Sequence, residues 1–294
     1  MPEPRITAVA VVIPTLNEAD RLPACLASVQ WAAEIIVADG GSSDATREIA
    51  TAFGATVIEL RGATIAGQRN AAIDIATQPW LLYLDADERA TPELAASIAV
   101  AIAAPTADAY RIHFRNQYLG APMVRGGWGR DHHVRLARAG IRWRIKQVHE
   151  SLDFDGSVAD LAGRIDHDSY RSLEHQLRKV TNYSVWGADA LLARGKRVGL
   201  SHLVVRPCWR FVKCYVLQGA WREGRRGLVL SVVHALSAFA KYALQWDLER
   251  QSAESVSRAT TTATRRAPLA SWPAQPDSAP REALPSVPNI AGSA

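Results

Sequence analysis

The sequence has few cysteines and no long apolar run. Cys25, Cys208 and Cys214 lie far apart without CxxC spacing, which excludes a disulfide scaffold and a cysteine-rich zinc site and fits a reducing cytoplasm. No uninterrupted apolar stretch reaches the roughly 20 residues that span a bilayer. Glu3 precedes a short apolar run of strand character, so we expect no signal peptide. The chain of 294 residues, 48% of them hydrophobic, allows one large domain or one domain with additions.

Three catalytic motifs are also absent. The sequence contains no GxxxxGKS or GxxxxGKT segment, which excludes a P-loop NTPase. No GxGxxG follows the first apolar run, which argues against a dinucleotide-dependent oxidoreductase. No GxSxG is present, so the nucleophile elbow of serine hydrolases is excluded.

Charge is unevenly distributed along the chain. Residues 1–114 contain 7 basic and 14 acidic side chains, a net charge of −7, whereas residues 115–226 contain 21 and 10, a net charge of +11. An acidic first part suits a site that holds a cation. A basic middle suits an anionic partner, such as nucleotide phosphates, a phosphorylated acceptor or an anionic membrane, or it is a solvated basic surface.

The first hundred residues alternate between strand and helix patterns. Short β-branched apolar runs predict strands, and apolar residues at helical spacing predict helices. The predicted strands are 8–13, 34–38, 56–60 and 80–84, and the predicted helices are 19–29, 45–53, 65–76 and 91–103. This order predicts an α/β domain with a mostly parallel sheet in three layers. Ligands bind beyond the carboxyl ends of strands in such sheets.

The second half of the chain changes character twice. Strands are predicted at 109–118 and 132–136, and helices at 173–192, 207–219 and 228–248. After about residue 252 the sequence is rich in Ser, Thr, Ala and Pro, which predicts disorder. We therefore divide the chain into an α/β domain over 1–170, a helical extension over 171–251 and a disordered tail over 252–294.

Carboxylates follow three of the four predicted strands. The segments are Pro14–Glu18, Asp39–Asp44 and Asp85–Asp87. Paired acids two residues apart suit a hard divalent ion that takes further ligands from water and a diphosphate, although a solvated turn has the same pattern. Asp39 precedes two glycines, which present no Cβ and let a ring approach closely. The same loop also suits a turn in which Ser43 or Asp44 caps the next helix.

Two further residues have alternative structural roles. Glu18 either contacts a ligand or completes a capping box with Thr15. Arg69 opens a predicted helix, where it either reaches a diphosphate or pairs with an acid of the site.

Four segments in this order resemble the family 2 inverting glycosyltransferases of GT-A fold. They read IPTLNE, VADGGSSDAT, QRN and LDADE within about residues 6–115. Lys146–Glu150, with sequence KQVHE, is similar to a segment of a narrower group, the bacterial lipopolysaccharide-core glucosyltransferases. The resemblance implies a GT-A fold, that is, a Rossmann-like, three-layer α/β domain, here followed by a C-terminal helical extension.

The resemblance also implies site roles. The residues implied to bind the nucleotide-sugar are Pro14, Thr15, Glu18, Asp39 and Asp85, joined by Arg69. Asp39 would contact uracil or ribose, and Asp85 would hold ribose and water near the metal. Asp87 would bind Mg²⁺ or Mn²⁺ with the donor's diphosphate.

The general base implied by the resemblance is Glu150. A carboxylate facing the acceptor removes the proton from its hydroxyl, and a single displacement inverts the anomeric centre. The alternative is that Glu150 pairs with Arg144 or Lys146 on a surface hairpin. Other acids lie nearby in the sequence, namely Asp131, Asp153, Asp155 and Asp166.

The implied activity is transfer of one hexose, with glucose expected, from a UDP-sugar to a lipid-linked saccharide. The chain lacks the Gln-x-x-Arg-Trp motif of processive synthases. Trp209, Phe211 and Trp221 alternate with arginines and lysine, which favours an anionic membrane surface or docking onto the α/β core. We therefore expect a peripheral enzyme on the inner face of the cell membrane, without a nucleic-acid partner.

Two other classes remain open at this point. A nucleotidyltransferase also uses paired acids on an α/β sheet, but it usually has a Gly-rich basic loop directly after the first strand. A non-catalytic basic membrane adaptor would explain the positive middle of the chain, but it has no use for Asp39, Asp85 and Asp87 at strand ends.

Overall fold

The computed structural model describes residues 6–144, 151–170 and 172–264. These residues fall into two compact units, 6–170 and 172–264.

The first unit contains eleven strands among its described residues. They are β1 (Ile6–Thr15), β2 (Ala32–Asp39), β3 (Thr56–Glu59), β4 (Trp80–Tyr83), β5 (Glu88–Ala90), β6 (Ala109–Tyr118), β7 (Ala121–Pro122), β8 (His132–Arg138), β9 (Arg142–Arg144), β10 (Ser151–Asp153) and β11 (Val158–His167). Its helices are α1 (Leu22–Ala27), α2 (Thr46–Ala52), α3 (Ile65–Ile75) and α4 (Pro92–Ala103), with a single 3₁₀ turn at Trp128–Arg130.

One mixed sheet organises the unit, with strand order β3-β2-β1-β4-β8-β6-β11-β5. The first four strands in this order are mutually parallel, whereas β8 runs antiparallel to both β4 and β6. Successive residues of β1 face opposite sides of the sheet: Val9 and Val11 pack with α1 and α4, and Ala10 and Val12 pack with α3. The predicted three-layer α/β fold is confirmed.

Helix α1 begins later than its sequence pattern predicts. The chain between residues 16 and 21 forms turns, with Asn17 at φ +56°, and Pro23 lies in the first turn of a helix that starts at Leu22. Proline lacks an N–H and fits the first turn of a helix. The predicted capping box of Thr15 and Glu18 is therefore wrong, because both residues precede this start and their groups bond elsewhere.

The second unit is helical. It contains α5 (Leu173–Ala193), α6 (Leu200–Leu203), α7 (Val205–Val212), a π-helical turn at Lys213–Leu217, a 3₁₀ turn at Ala220–Glu223 and α8 (Gly224–Thr264). Helix α8 continues beyond residue 252, where disorder was predicted, and residues 265–294 lie outside the described residues. The segment Ala220–Ser252 has the length and composition to cross a membrane, although the sequence predicted an apolar run too short for this.

Arg135, in the interior of β8, fastens the strand ends that lead into the site. Its Nη2 lies 2.6 Å from Glu88 Oε1 and 3.1 Å from Asp85 Oδ2. Glu88 is fully buried, and its second oxygen accepts the Asp85 N–H at 2.9 Å. Three charged groups in a low-dielectric interior are tolerated because they compensate one another. The arrangement fixes β5 and the end of β4 against β8.

We expect Arg135→Met to lower the free energy of unfolding by roughly 3–5 kcal/mol, because it leaves the buried Glu88 without its cation and removes one of the two arginines that contact Asp85. The matched control is Arg138→Met on the same strand. Arg138 and its partner Asp108 are both about half exposed, so about 1 kcal/mol or less is expected. Urea denaturation followed by tryptophan fluorescence measures both. Equal losses in the two variants would show that the buried contacts do not fasten the strands.

Candidate active site

Asp39, the last residue of β2, organises the loop that follows it. Its side chain is completely buried. The carboxylate accepts hydrogen bonds from Thr15 Oγ1 at 3.2 Å, Gly41 N at 3.0 Å and Ser42 N at 2.7 Å, and also from Ser42 Oγ. A Cβ on Gly40 would lie 2.5 Å from Gln68 Nε2 and 3.3 Å from Thr15 O, so a larger residue there would have to displace the Gln68 side chain. The carboxylate thus joins the ends of β1 and β2.

The loops after β1 and β2 are held together by further hydrogen bonds. Asn17 N donates to Ser42 Oγ at 2.8 Å, and Ser43 N donates to Asn17 Oδ1 at 2.8 Å. Glu18 N donates to Thr46 Oγ1 at 2.9 Å. Asp44, rather than Ser43, accepts the N–H of Thr46 at the start of α2. Three predicted site residues therefore lie beside the Asp39 loop: Pro14, which is paired with Ala38 in the sheet, Thr15 and Glu18.

Asp85 lies directly beyond β4 between two arginines. Arg69 Nη2 is 2.5 Å from one carboxylate oxygen and Arg135 Nη2 is 3.1 Å from the other. The Arg69 guanidinium also stacks over the Trp143 ring at 4.3 Å. Of the two alternatives for Arg69, the structure shows the ion pair with an acid of the site. Burial alone would raise the pKa of Asp85, but Arg135 and Arg69 outweigh it and hold that pKa well below its usual range.

Asp87 lies two residues further on, with a different set of neighbours. Arg21 Nη1 is 2.9 Å from Asp87 Oδ2, and His167 Nε2 is 3.7 Å from the same oxygen. Burial raises the pKa of Asp87, but His167 and Arg21 more than offset it, so the carboxylate is ionised at neutral pH. Burial lowers the pKa of His167, whereas Asp87 and Glu88 raise it by more. The carboxylate of Asp87, the imidazole of His167 and the guanidinium of Arg21 thus meet at this strand end.

A line of polar contacts leads away from Asp87. His167 Nδ1 lies 2.8 Å from Asn116 Oδ1, and Asn116 Nδ2 donates to Asp131 Oδ2 at 3.1 Å. Asp131 Oδ1 lies 3.0 Å from His133 Nε2. Of the acids near Glu150 in the sequence, Asp131 is therefore the one connected to Asp87 through side chains on β6 and β11.

Glu150 lies outside the described residues, within the gap at 145–150. The hairpin of β9 and β10 flanks this gap. Arg144, the alternative partner of Glu150, forms an ion pair with Asp153 across the hairpin. Asp166 is held by two hydrogen bonds from Arg115, at 2.5 and 2.6 Å. The assignment of Glu150 as the base stays a prediction.

Sequence reasoning missed four residues of the site. Glu88 and Arg135 form a buried ion pair that supports the site, and Arg21 and His167 contact Asp87. Arg135 carried a usable signal, because a cation inside the apolar strand run VRLA predicts a buried acidic partner. Arg21 and His167 had no comparable local signal, since their neighbours in the fold are distant in sequence.

A search of solved structures returned a fold resemblance of low similarity. The chain aligns with a crystal structure of S. aureus TarS, residues 1–349, at 13% identity and a TM-score of 0.43, covering 83% of this chain and 92% of that one.

Sequence comparison is more specific. Residues 10–131 match the model of the family described as "Glycosyl transferase family 2". The chain is 29% identical to the lipopolysaccharide core biosynthesis glycosyltransferase LpsC of Rhizobium meliloti, over 80% of this chain and 90% of that protein. It is also 29% identical to an uncharacterised glycosyltransferase of Rickettsia prowazekii, over 83% of this chain and 88% of that one. The family match contains the loops of Asp39, Asp85 and Asp87, and together with the similarity to named glycosyltransferases it shows that the chain is a glycosyltransferase.

Proposed function

We propose that the protein transfers one hexose, glucose being the expected sugar, from a UDP-sugar to a hydroxyl of a lipid-linked saccharide such as the lipopolysaccharide inner core, with inversion at the anomeric carbon. The observation that carries this proposal is the grouping of Asp39, Asp85 and Asp87 at the carboxyl ends of β2 and β4, the two strands that flank β1 in the parallel part of the sheet. The resemblance to a lipopolysaccharide core glycosyltransferase along most of both chains supports this acceptor class.

The side chains around Asp87 fit a divalent ion. Asp87 is an ionised oxygen ligand that could bind Mg²⁺ or Mn²⁺, with water and diphosphate oxygens as further ligands. His167 Nε2 lies 3.7 Å from Asp87 Oδ2 and would orient the carboxylate. No group of three His, Cys, Asp or Glu side chains suited to a metal is present in the described part of the chain. That is consistent with an ion held partly by the substrate. The ion would offset the charge of the leaving diphosphate.

Arg21 suits the diphosphate itself. Its Nη1 is engaged by Asp87, whereas its buried Nη2 has no hydrogen-bond partner among the described residues. A buried donor without an acceptor is unfavourable, and a phosphate oxygen would supply the acceptor. We assign Arg21 to the leaving group and Arg69 to holding Asp85 in place beside the ribose.

The nucleotide would lie against the two joined loops. Asp39 already accepts hydrogen bonds from its own loop, so it shapes the surface that Pro14, Thr15 and Glu18 offer to the uridine. Glu150, in the segment between β9 and β10, would remove the acceptor's proton. A single displacement then needs no covalent intermediate on the enzyme.

Asp87→Ala should reduce transfer by about 100-fold or more, since it removes a charged group that acts on the leaving group. The matched control is Asp166→Ala, whose carboxylate pairs with Arg115 on the neighbouring strand and should leave most activity. Sugar release from a panel of UDP-sugars is measured at saturating Mn²⁺, with circular dichroism to confirm folding. Near-normal turnover by folded Asp87→Ala would refute the metal assignment. The absence of any stabilisation of the wild-type protein by UDP with Mn²⁺ would favour the adaptor class.

Glu150→Gln should lose about 100-fold or more of its activity if Glu150 is the base, at the upper part of the range for general acid–base catalysis. Binding of UDP, measured by titration calorimetry, should stay within a factor of two or so, because the nucleotide is held by the loops after β1 and β2. Glu174→Gln, an exposed change on α5, serves as control. A parallel tenfold loss of UDP affinity in Glu150→Gln would place this residue in the donor pocket instead.

We also propose that the second unit binds a membrane surface. Leu228, Val232, Leu236, Phe239 and Trp246 are each 42–50% exposed and lie on one face of α8 at helical spacing, over about 27 Å. We name this set the α8 stripe. The exposed Arg225 lies on the same face at one end, and Arg250 lies at the other end in ion pairs with Asp247 and Glu254. An apolar face with a flanking cation is typical of a helix in the plane of an anionic interface.

Several observations favour lying on the membrane over crossing it. Helix α5 packs along α8, with Ser184 Oγ donating to Ser237 O and Gly187 against Lys241. Asp189 lies on α5 between these contacts and the end of the helix, and its side chain is exposed. Placing this carboxylate in the hydrocarbon of a membrane would be costly. Trp209 and Trp221 are more than half exposed, as the membrane prediction requires, whereas Phe211 stacks on Tyr215 at 5.2 Å.

Replacing Leu236 and Phe239 together by serine should lower the fraction of protein that sediments with anionic vesicles severalfold, because it removes the centre of the α8 stripe. The matched control replaces Val185 and Trp186, an exposed apolar pair on α5, by serine. Wild-type binding should weaken with neutral lipid and with rising salt. Recovery of the wild-type protein in the supernatant with both lipids at low salt would refute the membrane proposal.

A further inference from the structure

The second unit contains a recess between the end of α5 and helices α6, α7 and α8. Its volume is about 50 Å³. It is lined by Leu191, Lys196, Arg197, His202, Arg206, Tyr242 and Gln245. None of these residues belongs to the candidate site on the first unit.

The recess is positively charged. Lys196, Arg197 and Arg206 contribute three cations, and none of the described lining residues is acidic. The side chains of Lys196 and Arg197 form no ion pair within the described part of the chain. Glu249 is a nearby acid, and its carboxylate accepts hydrogen bonds from Val198 N and Gln245 Nε2. Even with Glu249 counted, the three cations leave an excess of two positive charges. The uncompensated charge of the recess therefore favours an anion.

Several contacts fix the walls of this recess. Arg206 Nη1 donates to Tyr242 Oη at 2.5 Å, and its guanidinium lies 5.2 Å from the centre of that ring. Gln245, which is 1% exposed, donates through Nε2 to the carbonyl of Lys196. Gly199 N donates to His202 Nδ1 at 3.1 Å, so the proton of neutral His202 is on Nε2 and that nitrogen is a donor. The backbone and the buried side chains thus hold the recess in shape before any ligand arrives.

We propose that this recess binds a phosphate group, either that of a phosphate monoester or inorganic phosphate as its dianion. One water needs about 10–15 Å³ on this measure, so the recess has room for roughly four water-sized groups, which is the number of oxygens on a phosphate. Two guanidiniums, an ammonium and an imidazole N–H provide more donors than a carboxylate can accept. Guanidinium groups match phosphate oxygens in pairs.

The phosphate could come from a lipid headgroup or from a soluble phosphate. Leu200, Val204 and Val205, each within two residues in sequence of a lining residue, are 77%, 52% and 61% exposed. Such apolar residues beside a phosphate site suit a phospholipid whose chains lie alongside. Both sources share the phosphomonoester chemistry, and they can be separated by experiment.

The test compares three single variants of the full chain by titration calorimetry with inorganic phosphate and with glycerol 3-phosphate. Arg197→Gln and Arg206→Gln should each weaken binding at least tenfold. Arg194→Gln makes the same charge change at the end of α5, outside the lining, and should change affinity less than twofold. Circular dichroism checks folding. Arg197→Gln decides the outcome if Arg206→Gln is damaged, because the Arg197 side chain forms no ion pair in the described residues.

Vesicles containing phosphatidic acid or phosphatidylglycerol at equal surface charge distinguish the two sources. Arg197-dependent preference for phosphatidic acid, without binding of soluble phosphate, identifies a lipid monoester. Binding of soluble phosphate without this preference identifies a soluble ligand. The proposal is overturned if the wild-type protein shows neither, or if Arg194→Gln weakens binding as much as Arg197→Gln. If the wild-type protein binds soluble phosphate but binds none of the vesicles, only the membrane proposal is contradicted.

Discussion

Arg135 is the cation on which the edge of the sheet depends. It lies in the interior of β8 and contacts both Asp85 and Glu88, so one buried guanidinium joins three strands of the first unit. Burial raises the pKa of Glu88 to about 7, although Arg135 opposes this and Asp85 adds to it. With Asp85 ionised beside it, the position of each charged group is set by the others. Polar groups held in this way need little rearrangement when a charged substrate arrives.

Asp85 and Asp87 are separated by one residue but differ in how many of their carboxylate oxygens are engaged by neighbouring side chains. Asp85 is engaged on both oxygens by arginines, and its orientation is accordingly fixed. The Asp87 contacts, to Arg21 and His167, involve one oxygen, Oδ2. The pattern Asp-x-Asp thus combines an anchor with a ligand, and the sequence spacing alone does not show which is which.

Except for β5, which was not predicted, the strands and helices of residues 6–118 could be predicted to within a few residues, because apolar runs, prolines and glycines mark them locally. Asp39, Asp85 and Asp87 could be placed at strand ends for the same reason. The partners of these acids could not. His167 lies beside Asp87 because β11 pairs with β5 in a register that sets His167 opposite Glu88, and nothing in the local pattern of either strand specifies that register. The extent of α8 was also missed, since residues 252–264 have no apolar period.

The pairing of β11 with β5 has a consequence for how the domain can be divided. The segment that matches the family model ends at residue 131, before β8 is complete and before β11 begins. A fragment cut at that boundary would keep Asp39, Asp85 and Asp87 but lose Arg135 and His167. Its buried Glu88 would have no cation, and its β5 would have no partner strand. The smallest piece of this chain that can carry a complete site therefore extends at least through residue 167, well past the segment by which the family is recognised.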